Sequence, residues 1–398
     1  MAKEECFIIA REGVSGGTGT LSLRLFEYIK QEGGRCVYLC CENNAPQNYA
    51  LMERVVDEIV CVQDISFTKQ FDSIKNKYKS FCFLTYSIAE YVAISTLRNK
   101  CDKIKRVIYY VVHDYAFSIP PSLQLNKFRR TIIPVFQRLK YRKLVSTLMV
   151  NRSIVFMDDI SLMETKKNLR IGNLPSIVQL LPINIPNLLP EDFKVIKRHK
   201  PFTIGTMCRM EFPMKGYVLG LIDKICELSN VYDIRLILVG DGPGRVLVEE
   251  KLNCLPTNNR GKIEYIRSLP YSEIGNFYSQ CDLALGMGTM LLDASINKVL
   301  AVPVRSYTND LVVSALFLDK VEWLLFDKMD EKPFEGILSY LLALEDDEFN
   351  LLVERQFLNV RNAYNINDFI RLLQDNSVGA NTLNSRELWF FKMLNKII

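Results

Sequence analysis

Four clusters in this chain carry residue types and spacings suited to chemistry. The first is Gly13-Val14-Ser15-Gly16-Gly17-Thr18-Gly19-Thr20, after an apolar run. Glycines let a backbone approach a ligand, and the N-terminus of a following helix offers N–H groups to an anion. A P-loop would need a Lys at its end, which is missing, and a G-x-G-x-x-G pattern begun at Gly17 and Gly19 fails at Ser22. An anion or sugar beside the loop and a plain tight turn both remain open. The second is His113-Asp114, at the end of an apolar run over 107–112, where an imidazole can hydrogen-bond a ligand or bond to backbone in the core.

Arg209 with Lys215-Gly216 forms the third cluster, after an apolar run over 202–207. Arg forks two oxygens and Lys supplies a point charge, a pairing suited to a diphosphate; a bare surface pair is the alternative. The fourth is Leu285-Gly286-Met287-Gly288-Thr289-Met290-Leu291-Leu292-Asp293. This reads as a strand end, a Gly-x-Gly turn presenting amides to phosphate, and a helix with Asp293 in its first turn. That carboxylate can reach a sugar hydroxyl such as a ribose, or simply stabilise the helix start.

These clusters need elements to hold them. Apolar runs at 6–10, 36–40, 58–62, 81–85 and 107–112 are short and β-branched or aromatic, and helix-length mixtures separate them. The pattern restarts with strands expected at 202–207, 235–239, 263–266, 283–285 and 301–304, and helices at 217–229, 245–252, 272–279 and 291–297. Continuous apolar strands alternating with helices predict parallel sheets covered on both faces. Ligands in such sheets bind beyond the carboxyl ends of the strands, so two of them predict a shared central cleft. Three prolines over 182–190 mark a linker. The expected domains are 1–185, 186–376 and a closing helix over 377–398 that packs back on the first domain, with Ser385 as its N-cap.

The chain has 398 residues, 48% hydrophobic and 24% charged, which excludes disorder, collagen and coiled coil. No uncharged apolar stretch reaches the ~18 residues of a membrane span. The first residues lack the basic start and cleavage site of a secretory signal. Eleven Cys, without a C-x-x-C pair and mostly inside apolar runs, read as buried small hydrophobes in a reducing compartment.

The net charge of +5 hides an asymmetry. Residues 1–185 carry 26 Lys and Arg against 17 Asp and Glu. Within them, residues 115–157 hold no acid but contain Lys127, Arg129, Arg130, Arg138, Lys140, Arg142, Lys143 and Arg152. Such a segment points to an anionic surface, membrane phosphates or nucleic acid, or to a solvated helix face.

Taken in order, these clusters resemble the retaining glycosyltransferases of GT-B fold, family 4-like. That family has a Gly-Gly loop after strand one, a His near an inner strand end, an Arg and Lys-Gly pair opening the second domain, a Gly-Asp-Gly-Pro turn, and a Glu pair around a Gly-Phe-Gly turn. Here these correspond to Gly16-Gly17, His113, Arg209 with Lys215-Gly216, Gly240-Asp241-Gly242-Pro243 and the segment 285–293, over about residues 7–310. The resemblance implies two Rossmann-like domains facing a central cleft. Arg209 and Lys215 would hold a donor diphosphate, and Asp293 a ribose. Gly288, Thr289 and Met290 would touch sugar or phosphate through backbone amides. His113 would sit by the reacting sugar, and Gly16 and Gly17 would face the donor. Leu285 departs from the family, standing where the first Glu contacts the donor sugar; Asp293 is shorter than Glu, and Met287 replaces Phe.

The implied reaction moves a sugar from a UDP- or GDP-sugar to a hydroxyl of a glycan or lipid-linked acceptor, with retention, in polysaccharide or glycoconjugate assembly. The sequence has no Asp-x-Asp triplet, so neither metal nor cofactor is expected. The expected setting is the cytoplasm, at the inner face of an anionic membrane, with no nucleic-acid partner. Two rivals stay open: a non-catalytic GT-B subunit, which Leu285 favours, and a nucleotide-sugar epimerase, which would need more cleft carboxylates and His.

Overall fold

Apolar runs too short for helices become the strands of two wholly parallel sheets. The computed structural model describes residues 5–11, 17–41, 49–62, 68–113, 116–117, 126–186, 188, 190–193, 196–319 and 331–389. Two compact units appear: Met1–Ile119, Leu125–Asn184 and Tyr364–Ile398 form the first, Pro120–Gln124 and Ile185–Ala363 the second.

The first unit runs β1 (Glu5–Arg11), α1 (Gly17–Gln31), β2 (Arg35–Cys41), α2 (Tyr49–Val55), β3 (Glu58–Val62), α3 (Thr68–Ile74), β4 (Ser80–Thr85), α4 (Ile88–Arg98), β5 (Ile104–Val111), α5 (Lys127–Val150), β6 (Ile154–Phe156), α6 (Asp159–Leu169) and β7 (Ile177–Val178). Its sheet has the order β3-β2-β1-β4-β5-β6-β7. Ile8 of β1 pairs with Val37 on one side and Phe83 on the other. Cys6 to Ala10 are wholly buried, as a strand covered on both faces requires. Helix α1 buries Leu21, Leu25 and Ile29, one turn apart each.

The second unit runs β8 (Phe202–Met207), α7 (Tyr217–Leu228), β9 (Ile234–Val239), α8 (Arg245–Asn253), α9 (Thr257–Arg260), β10 (Ile263–Ile266), α10 (Ile274–Tyr278), β11 (Leu283–Gly286), α11 (Thr289–Ile296), β12 (Leu300–Pro303), α12 (Phe334–Ala343) and α13 (Asp346–Ala363). The sheet order is β10-β9-β8-β11-β12. Gln356 of α13 is fully buried and bonds three elements together. Its Oε1 accepts from Ala301 N (2.9 Å), and its Nε2 donates to Ser295 Oγ (3.0 Å) and Val299 O (2.8 Å).

The chain returns to the first unit at Tyr364, not at the expected boundary of 376. Helix α14 (Ile366–Gln374) buries Ile366, Phe369, Ile370 and Leu373 there, and Phe369 meets the ring of Tyr110 edge-on. Helices α13 and α14 are separate, broken where Asn365 caps α14 by accepting from Asn367 N. Arg106, 4% exposed, reaches the returning chain at Leu373 O and pairs with Glu5 at 2.5 Å. Gly379 then bonds Val107 N and Arg152 O at 3.0 and 2.9 Å. The final described helix starts at Ser385, as expected, but its N-cap is Asn384 rather than Ser385. Asn384 Oδ1 accepts from Arg386 N and Glu387 N, and the Glu387 carboxylate accepts from Asn384 N, a capping box. Residues 390–398 lie outside the described residues.

Five described cysteines are buried, but Cys101 and Cys208 are half-buried and Cys254 is exposed, against the expectation that all serve as core. Burial pushes the thiols of Cys36, Cys82 and Cys281 up to about 12. Among the described residues, no helix is long and apolar enough to cross a membrane.

Candidate functional site

In each sheet the strand order reverses once, between β1 and β4 and between β8 and β11. A crevice opens at the carboxyl ends of strands at such a reversal. In the second unit the chain beyond β8 carries Arg209 and Lys215, and beyond β11 it carries Gly288, Thr289 and Met290. The two clusters, 70 or more residues apart in sequence, therefore flank one switch point.

The segment 208–216 is held by main-chain hydrogen bonds. Lys215 N bonds Glu211 O (2.9 Å) and Gly216 N bonds Pro213 O (3.2 Å). Burial holds the half-buried Lys215 ammonium below the usual lysine range, while Cys208 and Glu211 pull it back up. Arg209 Nε pairs with Glu211 Oε1 at 3.0 Å, both side chains half exposed. Glu211, overlooked in the sequence though it stands between the two cations, thus partly neutralises both. The turn after β9 docks against this segment: Met210 N bonds Asp241 O, and Gly244 N bonds Met210 O, both at 2.8 Å.

Three helices at this end of the sheet start on glycine without a side-chain cap: α7 at Gly216, α8 at Gly244 and α11 at Gly288. In the first unit α4, α5 and α6 are capped by Ser87, Asn126 and Asp158. An uncapped N-terminus keeps the positive end of its dipole for an anion. Gly288 has φ +67° and ψ −141°, a conformation that a side chain would strain. Gly216 answers a different need, since a Cβ there would lie 2.3 Å from Asn309 Oδ1 and 2.6 Å from Thr308 O. Tyr307, itself at φ +57°, bonds Met214 O through its amide at 3.0 Å. The loop after β12 is therefore part of the site's frame. The pair Gly216 and Gly220, four apart on an amphipathic helix, was the available sign of a backbone crossing close by.

Helix α11 begins at Thr289, so its first turn carries no acid. Asp293 is its fifth residue, in the second turn and 4% exposed, which corrects the expected first-turn place. Leu285 is fully buried within β11, where it packs as core.

The remaining expected site residues belong to the first unit. Gly17 starts α1, whose Ser22 Oγ lies 3.4 Å from the hydroxyl of Tyr86, just beyond β4. Tyr86 is a further polar group at the β1/β4 reversal. His113 stands two residues beyond β5, half-buried, its carbonyl accepting from Ala116 N at 3.2 Å. Gly16, Asp114 and Tyr115 lie outside the described residues.

No protein-family model matches the sequence, and no curated protein matches it in sequence. Solved structures do match the fold. The chain is 13% identical to Anabaena HepE, solved in complex with UDP-glucose, with a TM-score of 0.62 over 93% of this chain and 98% of that one. A glycosyltransferase from Rickettsia africae is 14% identical, with a TM-score of 0.63 over 100% of both chains. An alpha-glucosyltransferase solved with UDP-glucose and DNA containing an abasic site is 11% identical, with a TM-score of 0.53 over 93% of this chain and 99% of that one. The likeness establishes the fold: the two parallel α/β sheets of the GT-B architecture.

Proposed function

We propose that the chain is a glycosyltransferase that moves a sugar from a nucleoside-diphosphate donor to a hydroxyl of a glycan or lipid-linked acceptor. The observation that carries this reading is the β8/β11 reversal in the second unit, where Arg209, Lys215 and three glycine-started, uncapped helices occur together. That set suits a diphosphate: a forked cation, a point charge and dipole ends. The UDP-glucose complexes of HepE and of the alpha-glucosyltransferase support the same donor class.

Departure of the diphosphate leaves an oxocarbenium-like sugar and concentrates negative charge on phosphate. Arg209 and Lys215 stabilise that charge, with the backbone amides of Gly288, Thr289 and Met290. Asp293 accepts a ribose hydroxyl. By the family resemblance, His113 serves the reacting sugar, and Gly16 and Gly17 the donor phosphate and acceptor. The family 4-like reading adds retention of configuration and a reaction without a divalent metal, in polysaccharide or glycoconjugate assembly.

Release of free UDP or GDP from nucleotide sugars tests this directly. Arg209→Ala is expected to lower turnover by about 100-fold or more, roughly 3 kcal/mol of transition-state stabilisation. Unchanged turnover would remove Arg209 from the phosphate site. A second reading, a non-catalytic subunit that binds nucleotide sugar, is favoured by Leu285 alone, since the buried strand position offers no carboxylate to the sugar. Saturable donor binding without turnover on any donor and acceptor would select it.

A further inference from the structure

Helix α5 has two unlike halves. Its C-terminal half buries Leu144, Val145, Leu148 and Met149 in the core of the first unit. Its N-terminal half turns large apolar side chains outward instead: Phe128 is 71% exposed and Leu139 62%, with Val135 and Phe136 exposed between them. Five of the twelve exposed large apolar side chains among the described residues lie on this one helix, so the exposure is concentrated rather than scattered.

The spacing gives these residues a common face. At 3.6 residues per turn, Phe128, Ile132, Val135, Phe136 and Leu139 fall within an arc of roughly 100°. Arg129 and Lys140 border one edge of that arc, Arg138 and Arg142 the other. The helix carries seven Lys and Arg and no acid. Lys143 lines a cavity of about 600 Å³ together with Arg386, Glu387 and Trp389, and Trp389 is 65% exposed. An exposed aromatic thus adjoins the end of the stripe at Lys143.

We infer that this face of α5 docks on an anionic lipid bilayer, its apolar stripe at the acyl boundary and its flanking cations on lipid phosphates. The charge pattern chooses this occupant. A second copy of the chain would set the cations that border one stripe against those that border the other. Nucleic acid would satisfy the cations but leave Phe128, Val135 and Leu139 without an apolar partner. An anionic bilayer satisfies both, since long basic side chains extend to the phosphates while apolar neighbours enter the interface. The inference stands independently of sugar transfer.

Flotation of the full chain with phosphatidylcholine vesicles, and with 3:1 phosphatidylcholine–phosphatidylglycerol vesicles, tests it. Binding to the anionic vesicles at least tenfold tighter than to the neutral ones, weakening with salt, is expected. Phe128→Ser with Leu139→Ser should lower that binding at least tenfold. Arg129→Gln, Arg142→Gln and Lys143→Gln should each lower it about fivefold, on anionic vesicles only. These side chains are exposed, and unchanged thermal melts will show that the variants fold. Three results would overturn the inference: no flotation with anionic vesicles, equal flotation of wild type and variants, or a wild-type dimer that Leu139→Ser turns into a monomer. Donor turnover, measured on the same variants, should be unchanged, which keeps this outcome separate from that of the proposed activity.

Discussion

Glu211 offers the most specific test of the cation site, because it sits where a diphosphate should. Its carboxylate is 3.0 Å from Arg209 Nε and also raises the affinity of Lys215 for its proton. Bound phosphate must displace or share that contact. Half-exposed ion pairs are worth about 0.2–1 kcal/mol, so Glu211→Gln should tighten UDP or GDP binding by about 1.5- to 5-fold at neutral pH. Gln leaves the main-chain bond from Lys215 N to Glu211 O in place, so the turn should survive. The pH dependence adds a signed check. Burial already lowers the Lys215 pKa, and losing Glu211 lowers it further. Diphosphate binding needs the charged ammonium, so affinity should fall as pH rises through a value below the usual lysine range. In Glu211→Gln that fall should begin at lower pH than in wild type. Calorimetric titration across neutral to alkaline pH measures both effects. Weaker binding by Glu211→Gln at neutral pH, or a fall that begins at higher pH, would refute the reasoning.

Other substitutions probe the frame. Gly216→Val sets side-chain atoms against Thr308 and Asn309; it should cost about 1–3 kcal/mol of stability and raise the donor KM, read from denaturant melts and steady-state kinetics. Gln356→Leu leaves Ala301 N, Ser295 Oγ and Val299 O to find new partners, and should destabilise the second unit by about 2–5 kcal/mol in urea. Arg106→Met strands the Glu5 carboxylate and releases Leu373 O; about 3–5 kcal/mol should be lost, with faster proteolysis within 364–389. Retained protease resistance would mean that the apolar face of α14 holds the return segment alone.

The inner strands were legible because both their faces are buried, whereas the edge strand β10 carries an exposed Glu264 between apolar residues. The runs at 202–207 and 263–266 match β8 and β10 residue for residue. The region between β5 and β8 was opaque. Helix α5 contains Pro134 and a cationic face with no acidic counterpart, and β6 and β7 are three and two residues long, too short to leave a pattern. The return at Tyr364 was hidden too, since an amphipathic helix such as α14 shows that it has a buried face but not which sheet it covers. At the site, the types of Arg209, Lys215 and Gly288 were readable, whereas their meeting at one switch point depends on strand order, which no local pattern encodes. Asp293 was misplaced by a shift in helix start: α11 opens at Thr289, and two residues move a carboxylate from the first turn to the second.

The central claim is that a nucleoside diphosphate binds at the β8/β11 reversal. Calorimetric titration of UDP and GDP into wild type and Lys215→Met tests it most directly. The account predicts saturable binding of one of them, at least tenfold weaker in Lys215→Met. Equal affinity in the two proteins, or no binding of either nucleotide to wild type, would contradict it.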